Sequence, residues 1–188
     1  MNKNYETRIF DCDLQTRNMG DAQKVKVIEG YFAKFYTIVD RGGWYEEMGR
    51  YCFNNFASRD VRALVNHNWD LPLGRTGNST LMLRVDDLGL YGTIVINEND
   101  TEALNLYARV ERGDVNQCSI GFNVLKEMRE DYHGSYKFTV EEVDLFEVSA
   151  CTLPAYENTT LEVRSNLLGG NKDNPKQKEL LAKMENRK

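Results

Sequence analysis

Two long strand-like segments, residues 115–127 (VNQCSIGFNVLKE) and 136–152 (YKFTVEEVDLFEVSACT), flank the turn sequence EDYHGS, and Pro154 closes the second. Strand side chains alternate between faces, so Ile120, Phe122 and Val124 share one side of the first segment. Val143, Leu145, Glu147 and Ser149 share one side of the second. A hairpin of this length commits the chain to a sheet. The rest of the chain adds strands to it. Residues 24–40 have a β pattern through Val25, Val27, Tyr31 and Phe35. In VRALVNHN (61–68), alternation puts Val61, Ala63, Val65 and His67 on one face. TLMLRVD and GLYGTIVIN are two strands joined by the turn DDLG. Residues 71–79 read as a loop, and 47–60 as a short helix. The clearest helix spans 97–114. There Asn99 and Glu102 fit a capping box, Ala103, Leu106, Tyr107 and Val110 form an apolar stripe, and Gly113 is a stop. Residues 1–21 form a polar N-terminal segment, 22–164 one domain, and 165–188 a charged, flexible tail, expected as a self-cleavage or tether segment.

Composition narrows the function classes. With 188 residues, 41% of them hydrophobic and 28% charged, the chain has the make-up of one globular domain. A net charge of −5 and the lack of a long basic run argue against nucleic acid as a partner. No apolar run approaches the ~20 residues of a membrane-spanning helix, and the N-terminus has no signal-peptide core. Four scattered cysteines without a CxxC pair point to free thiols in a reducing compartment. Two histidines and those cysteines give no zinc-ligand spacing, so neither metal nor cofactor is expected.

Three residues could carry chemistry. His67 precedes the loop NWDLPLG, and imidazole is suited to general-base work near neutral pH. The same pattern also fits a rim histidine held by one backbone hydrogen bond. Ser119 falls on the polar face of its strand with Gln117, Gly121 and Asn123, where an ordinary surface serine reads equally well. As a nucleophile it needs an adjacent base and oxyanion donors, and Gly121 would give a substrate room to approach. Glu147 lies in line with Val143 and Leu145, where a carboxylate is costly unless hydrogen-bonded. That makes it a candidate to orient a histidine, with Asp144 and Glu141 as rivals. Strict alternation sets Ser119 and Glu147 on opposite faces, so they meet only at a strand end, a bulge or a sheet edge. Cys118 is the alternative nucleophile, facing away from Ser119.

Three blocks in order, VNHN…LPLGRT, a charged helix leading to CSIGF, and LFEVSACTLPAY, resemble the tailed-phage prohead proteases over roughly residues 25–164. The resemblance implies a serine endopeptidase made in the cytoplasm of an infected bacterium and packaged in the procapsid. There it would cleave scaffold protein, or the scaffolding segment of the major capsid protein, and also copies of itself. It implies a β-rich α+β fold, a single-domain β-barrel flanked by helices and similar to the herpesvirus assembly protease, with a homodimer by the same analogy. Carried over by position, His67 is the base, Ser119 the nucleophile and Glu147 the third member. The turn before the histidine strand reads MGRYCFNNF rather than the PGAF common in relatives, and Asn68 stands where an aspartate often follows the histidine. A non-catalytic factor binding capsid or scaffold protein during assembly is the competing reading.

Overall fold

The computed structural model describes residues 5–11, 14–19 and 25–152. The tail at 165–188 lies outside the described residues, and with it the expected cleavage or tether segment. The described residues form eleven strands and one α-helix: β1 (Glu6–Asp11), β2 (Gln15–Met19), β3 (Val25–Lys34), β4 (Val39–Asp40), β5 (Tyr45–Met48), β6 (Arg62–Val65), β7 (Asn68–Arg75), β8 (Leu81–Val85), β9 (Gly89–Val95), α1 (Thr101–Arg112), β10 (Gln117–Tyr132) and β11 (Ser135–Cys151). One sheet runs β1-β10-β11-β5-β4, with β6 and β7 also joined to it through β11. The second runs β2-β3-β9-β8.

The two long segments read from the sequence form one antiparallel hairpin, β10 with β11. Its turn residues His133 and Gly134 both have positive φ (48° and 75°), the conformation that matches the twist of paired strands. The far edge of β11 serves two parallel partners in turn: β5 along Lys137–Val140 and β6 along Glu147–Ala150. Between them the 49–61 segment tucks in, and Val143 N–H donates to Cys52 O at 3.1 Å. That segment contains turns and one 3-10 turn at Phe56–Ser58, not the expected short helix. Residues 68–75, expected as loop, are β7, because they pair back on β6.

The core lies between the sheets. Ile28, Phe32, Leu90 and Ile94 of the second sheet meet Ile120, Phe122, Leu145 and Val148 of the first, all essentially fully buried. Each such side chain contributes about 1.5–3 kcal/mol of burial. The fold is therefore β-rich α+β, as expected, but among the described residues the strands do not close into a barrel. The two sheets share no ladder, and β1, β4 and β7 in one and β2 and β8 in the other keep open edges.

The stripe of α1 is buried as read: Ala103, Leu106, Tyr107 and Val110. The cap sits one residue later than expected. Asp100, not Asn99, accepts from the amides of Glu102 (2.9 Å) and Ala103 (3.3 Å), while Asn97 Oδ1 holds the Asn99 amide. Gly113 ends the helix at φ 87°, the left-handed conformation glycine adopts without penalty.

Candidate active site

The histidine strand ends before the histidine. β6 stops at Val65, and Val65 pairs directly with Asn68 of β7, so Asn66 and His67 form a two-residue hairpin turn. Both have positive φ (49° and 59°), as a type I′ turn requires. His67 therefore does not share the face of Val61, Ala63 and Val65, as alternation suggested. A histidine in this region is strained by roughly 1 kcal/mol, and such strain persists where surrounding contacts impose it. Here those contacts are explicit. The Asn66 amide donates to Ala150 O (3.0 Å), and Asn66 Oδ1 accepts from the Thr152 amide (2.9 Å). The His67 amide donates to Ser149 Oγ (3.1 Å). The turn is thus fastened to the end of β11.

The conflict between Ser119 and Glu147 is removed by a bulge. Ser119 pairs with Ser149 and Gly121 with Glu147, but the next pair is Phe122 with Leu145, so Phe146 is an extra residue on β11. Leu145 and Val143 stay on the core side. Beyond the bulge, Glu147 and Ser149 turn to the face that carries Ser119 and Gly121. Gly121 is needed for this arrangement. A Cβ there would stand 2.2 Å from Glu147 Oε1 and 2.5 Å from the Tyr5 ring. The space that the sequence suggested for substrate is filled by the carboxylate and Tyr5.

Glu147 is fully buried, yet each of its oxygens has a partner. Oε1 lies 2.6 Å from His67 Nδ1, and Oε2 accepts from Ser149 Oγ at 2.6 Å. With the His67 amide donating to that hydroxyl, a closed triangle fixes the ring. An unpaired buried carboxylate would cost several kcal/mol, so these hydrogen bonds are what let the group remain there. Nδ1–H donating to the carboxylate leaves the lone pair of a neutral imidazole on Nε2. Nε2 is itself buried and has no hydrogen-bond partner. The rival acids are engaged elsewhere, Asp144 with Arg59 and Glu141 with Lys126.

Ser119 is fully buried, not a wet-face serine. Its hydroxyl does not meet His67; it donates to Arg8 O on β1 at 2.8 Å. Cys118 points the other way, into the core cluster, and is disulfide-bonded, against the expectation of free thiols. Cys52 and Cys151 are free and buried. Burial pushes the Cys151 thiol up to about 12, with Glu147 adding to it, and raises that of Cys52 as well. None of the three offers a reactive thiolate. A surface cleft lined by Phe56, Arg59, Asp60, Thr76 and Gly77 contains none of the candidate residues.

The profile of the caudovirus prohead serine proteases matches residues 12–172. The chain belongs to that family. It is a serine peptidase, and the prohead protease of Enterobacteria phage HK97 is 28% identical to it over 172 residues, covering 87% of this chain and 70% of the relative. No solved structure matches it. The peptidase has three parts that sequence reasoning passed over. Ser149 links Glu147 to the His67 backbone, and its position two residues after Glu147 was the available signal. Tyr5 and β1 lie in the segment that alternation left unassigned. Burial alternates along it, with Arg8 and Phe10 buried and Thr7 and Ile9 only partly so, but ETRIFD has no polar–apolar alternation to signal this.

Proposed function

We propose that this peptidase cleaves capsid or scaffold protein during phage procapsid maturation, with Ser119 as nucleophile, His67 as base and Glu147 orienting it. The observation that carries the proposal is the buried Glu147 on His67 Nδ1, which leaves Nε2 unpartnered on the tip of the ring. Ser119 Oγ would attack the scissile carbonyl carbon as its proton passes to Nε2. The new C–O bond forms a tetrahedral intermediate. Its collapse breaks the C–N bond, and His67 gives the proton to the leaving amine. Water, deprotonated by the same nitrogen, then releases the acid from Ser119. Backbone amides around Ser119–Phe122 are the nearest candidates for oxyanion donors.

Action within the procapsid, in the cytoplasm of the host, belongs to the same reading. So do cleavage of other copies of itself, loss of its own tail, and a homodimer. Among the described residues no helix is long and apolar enough to cross a membrane. The test is covalent labelling with a fluorophosphonate, mapped by mass spectrometry. An adduct on Ser119 is expected, absent in Ser119→Ala and slowed by about a thousandfold or more in His67→Ala. An adduct on another serine, with Ser119 unmodified, would remove Ser119 from the mechanism.

A further inference from the structure

Among the described residues β1 is an edge strand paired with β10 alone, along the stretch that holds the candidate nucleophile: Glu6 with Phe122 through Asp11 with Gln117. It lies before the portion matched by the family profile, which begins at residue 12. Without β1, the Gln117–Phe122 edge would be an open row of backbone donors and acceptors, the kind of edge an extended peptide adds to. The Arg8 carbonyl is the group that meets Ser119 Oγ, at 2.8 Å.

The Arg8 side chain is received in a built pocket. It is 2% exposed, and so is Glu46 of β5. Arg8 Nε and Nη2 donate to the two Glu46 oxygens at 2.5 and 3.0 Å, and the guanidinium lies 5.5 Å from the centre of the Phe122 ring. Nη2 also pairs with Glu6, and Nη1 donates to Thr7 O (3.1 Å). A buried fork-to-carboxylate pair of this kind recognises guanidinium by shape as well as charge. Opposite charge outweighs desolvation and raises the Arg8 pKa further, so the residue stays cationic there. Three residues earlier, Tyr5 stacks against Phe146 (5.8 Å) and accepts from Trp69 Nε1 (2.8 Å).

We propose that β1 occupies the substrate-binding edge as a substrate-like strand, and that the pocket around Glu46 selects a basic residue on the acyl side of the scissile bond. This rests on Ser119 being the nucleophile. A substrate strand takes the place of β1 along β10, its arginine or lysine against Glu46 and its carbonyl before Ser119. An aromatic residue three positions earlier fits the site of Tyr5. While β1 is in place, the Ser119 hydroxyl is held on the Arg8 carbonyl and away from His67, so the strand also holds the enzyme back.

The full chain is tested with internally quenched peptides randomised at the acyl-side residue, and by the rate of fluorophosphonate labelling. Cleavage after Arg or Lys is expected to exceed cleavage after Leu or Gln by about tenfold or more in kcat/KM, and this ratio should fall below about threefold in Glu46→Gln. Should that variant fail to fold, Arg8→Gln unpins the strand without touching the pocket, and labelling of Ser119 is expected to accelerate by about fivefold or more. Ser119 labelled normally but with no preference for basic residues, or equal labelling rates in Arg8→Gln and the parent chain, would overturn this inference and leave the catalytic assignment standing. No labelling and no cleavage in any variant would overturn both.

Discussion

At the scale of single residues, the site depends on atoms that share very little space. Gly121 has room for no side chain beyond hydrogen, because Glu147 Oε1 would lie 2.2 Å from a Cβ. Gly121→Ala should therefore displace the carboxylate from His67 and lower kcat by about a hundredfold, with circular dichroism showing a folded protein. Ser149 is the second such residue. Removing its hydroxyl leaves Glu147 Oε2 and the His67 amide each without a partner. Ser149→Ala is expected to lower kcat by about tenfold at unchanged KM, with Ser149→Thr recovering most of it. Cys151 links the same end of β11 to pH. Its thiol titrates at about 12 in the fold against 9.0 in its ordinary state, so the folded form binds the proton more tightly. That contribution to stability is complete below pH about 9 and is lost as pH rises toward 12. The denaturation midpoint should fall more steeply across that window in the parent protein than in Cys151→Ala. His67 and Ser119 were visible in the sequence as residues, but their surroundings were not. The positive φ of His67 comes from a turn pairing, and the burial of Ser119 comes from a strand more than a hundred residues away.

At the scale of elements, periodicity carried the reading as long as the period was unbroken. The β10–β11 hairpin, β3, the β8–β9 pair and the apolar stripe of α1 all follow from alternation or helical spacing and stand where the sequence put them. The bulge at Phe146 is where strict alternation fails, since one extra residue reverses the face of everything after it, and a bulge was one of the meeting points for Ser119 and Glu147 that the sequence left open. The failure fell at the site itself: Glu147 and Ser149 reach Ser119 only because alternation is broken there. β7 was missed for another reason. Pro72 and Gly74 are turn-forming residues, but pairing with β6 overrides local preference. The cap of α1 gives a check separate from the site. Asp100→Ala removes the acceptor for two first-turn amides and should cost about 1 kcal/mol, lowering Tm by roughly 2–4 °C. Activity at temperatures well below Tm should be unaltered.

At the scale of the whole molecule, two sheets enclose one core, and the site sits on the other face of the larger sheet, where β6, β10 and β11 meet and β1 closes the edge. Composition and pattern were enough for the fold class. They were not enough for closure, because whether strands join into a barrel depends on which edges pair, and edge pairing has no local signature. Here β11 gives one edge to both β5 and β6, and the sheets remain separate. The edge of β10 beside Ser119 is held by β1, the place an extended substrate chain would have to take. The central claim is that Ser119, activated by His67 held on Glu147, cuts capsid or scaffold protein. It is tested most directly by co-expressing the peptidase with the capsid and scaffold proteins of its own phage and weighing the products by mass spectrometry. The parent chain should yield a shortened capsid or scaffold protein, whereas Ser119→Ala, folded to the same degree, should leave both at full length. Normal processing by Ser119→Ala would contradict the account.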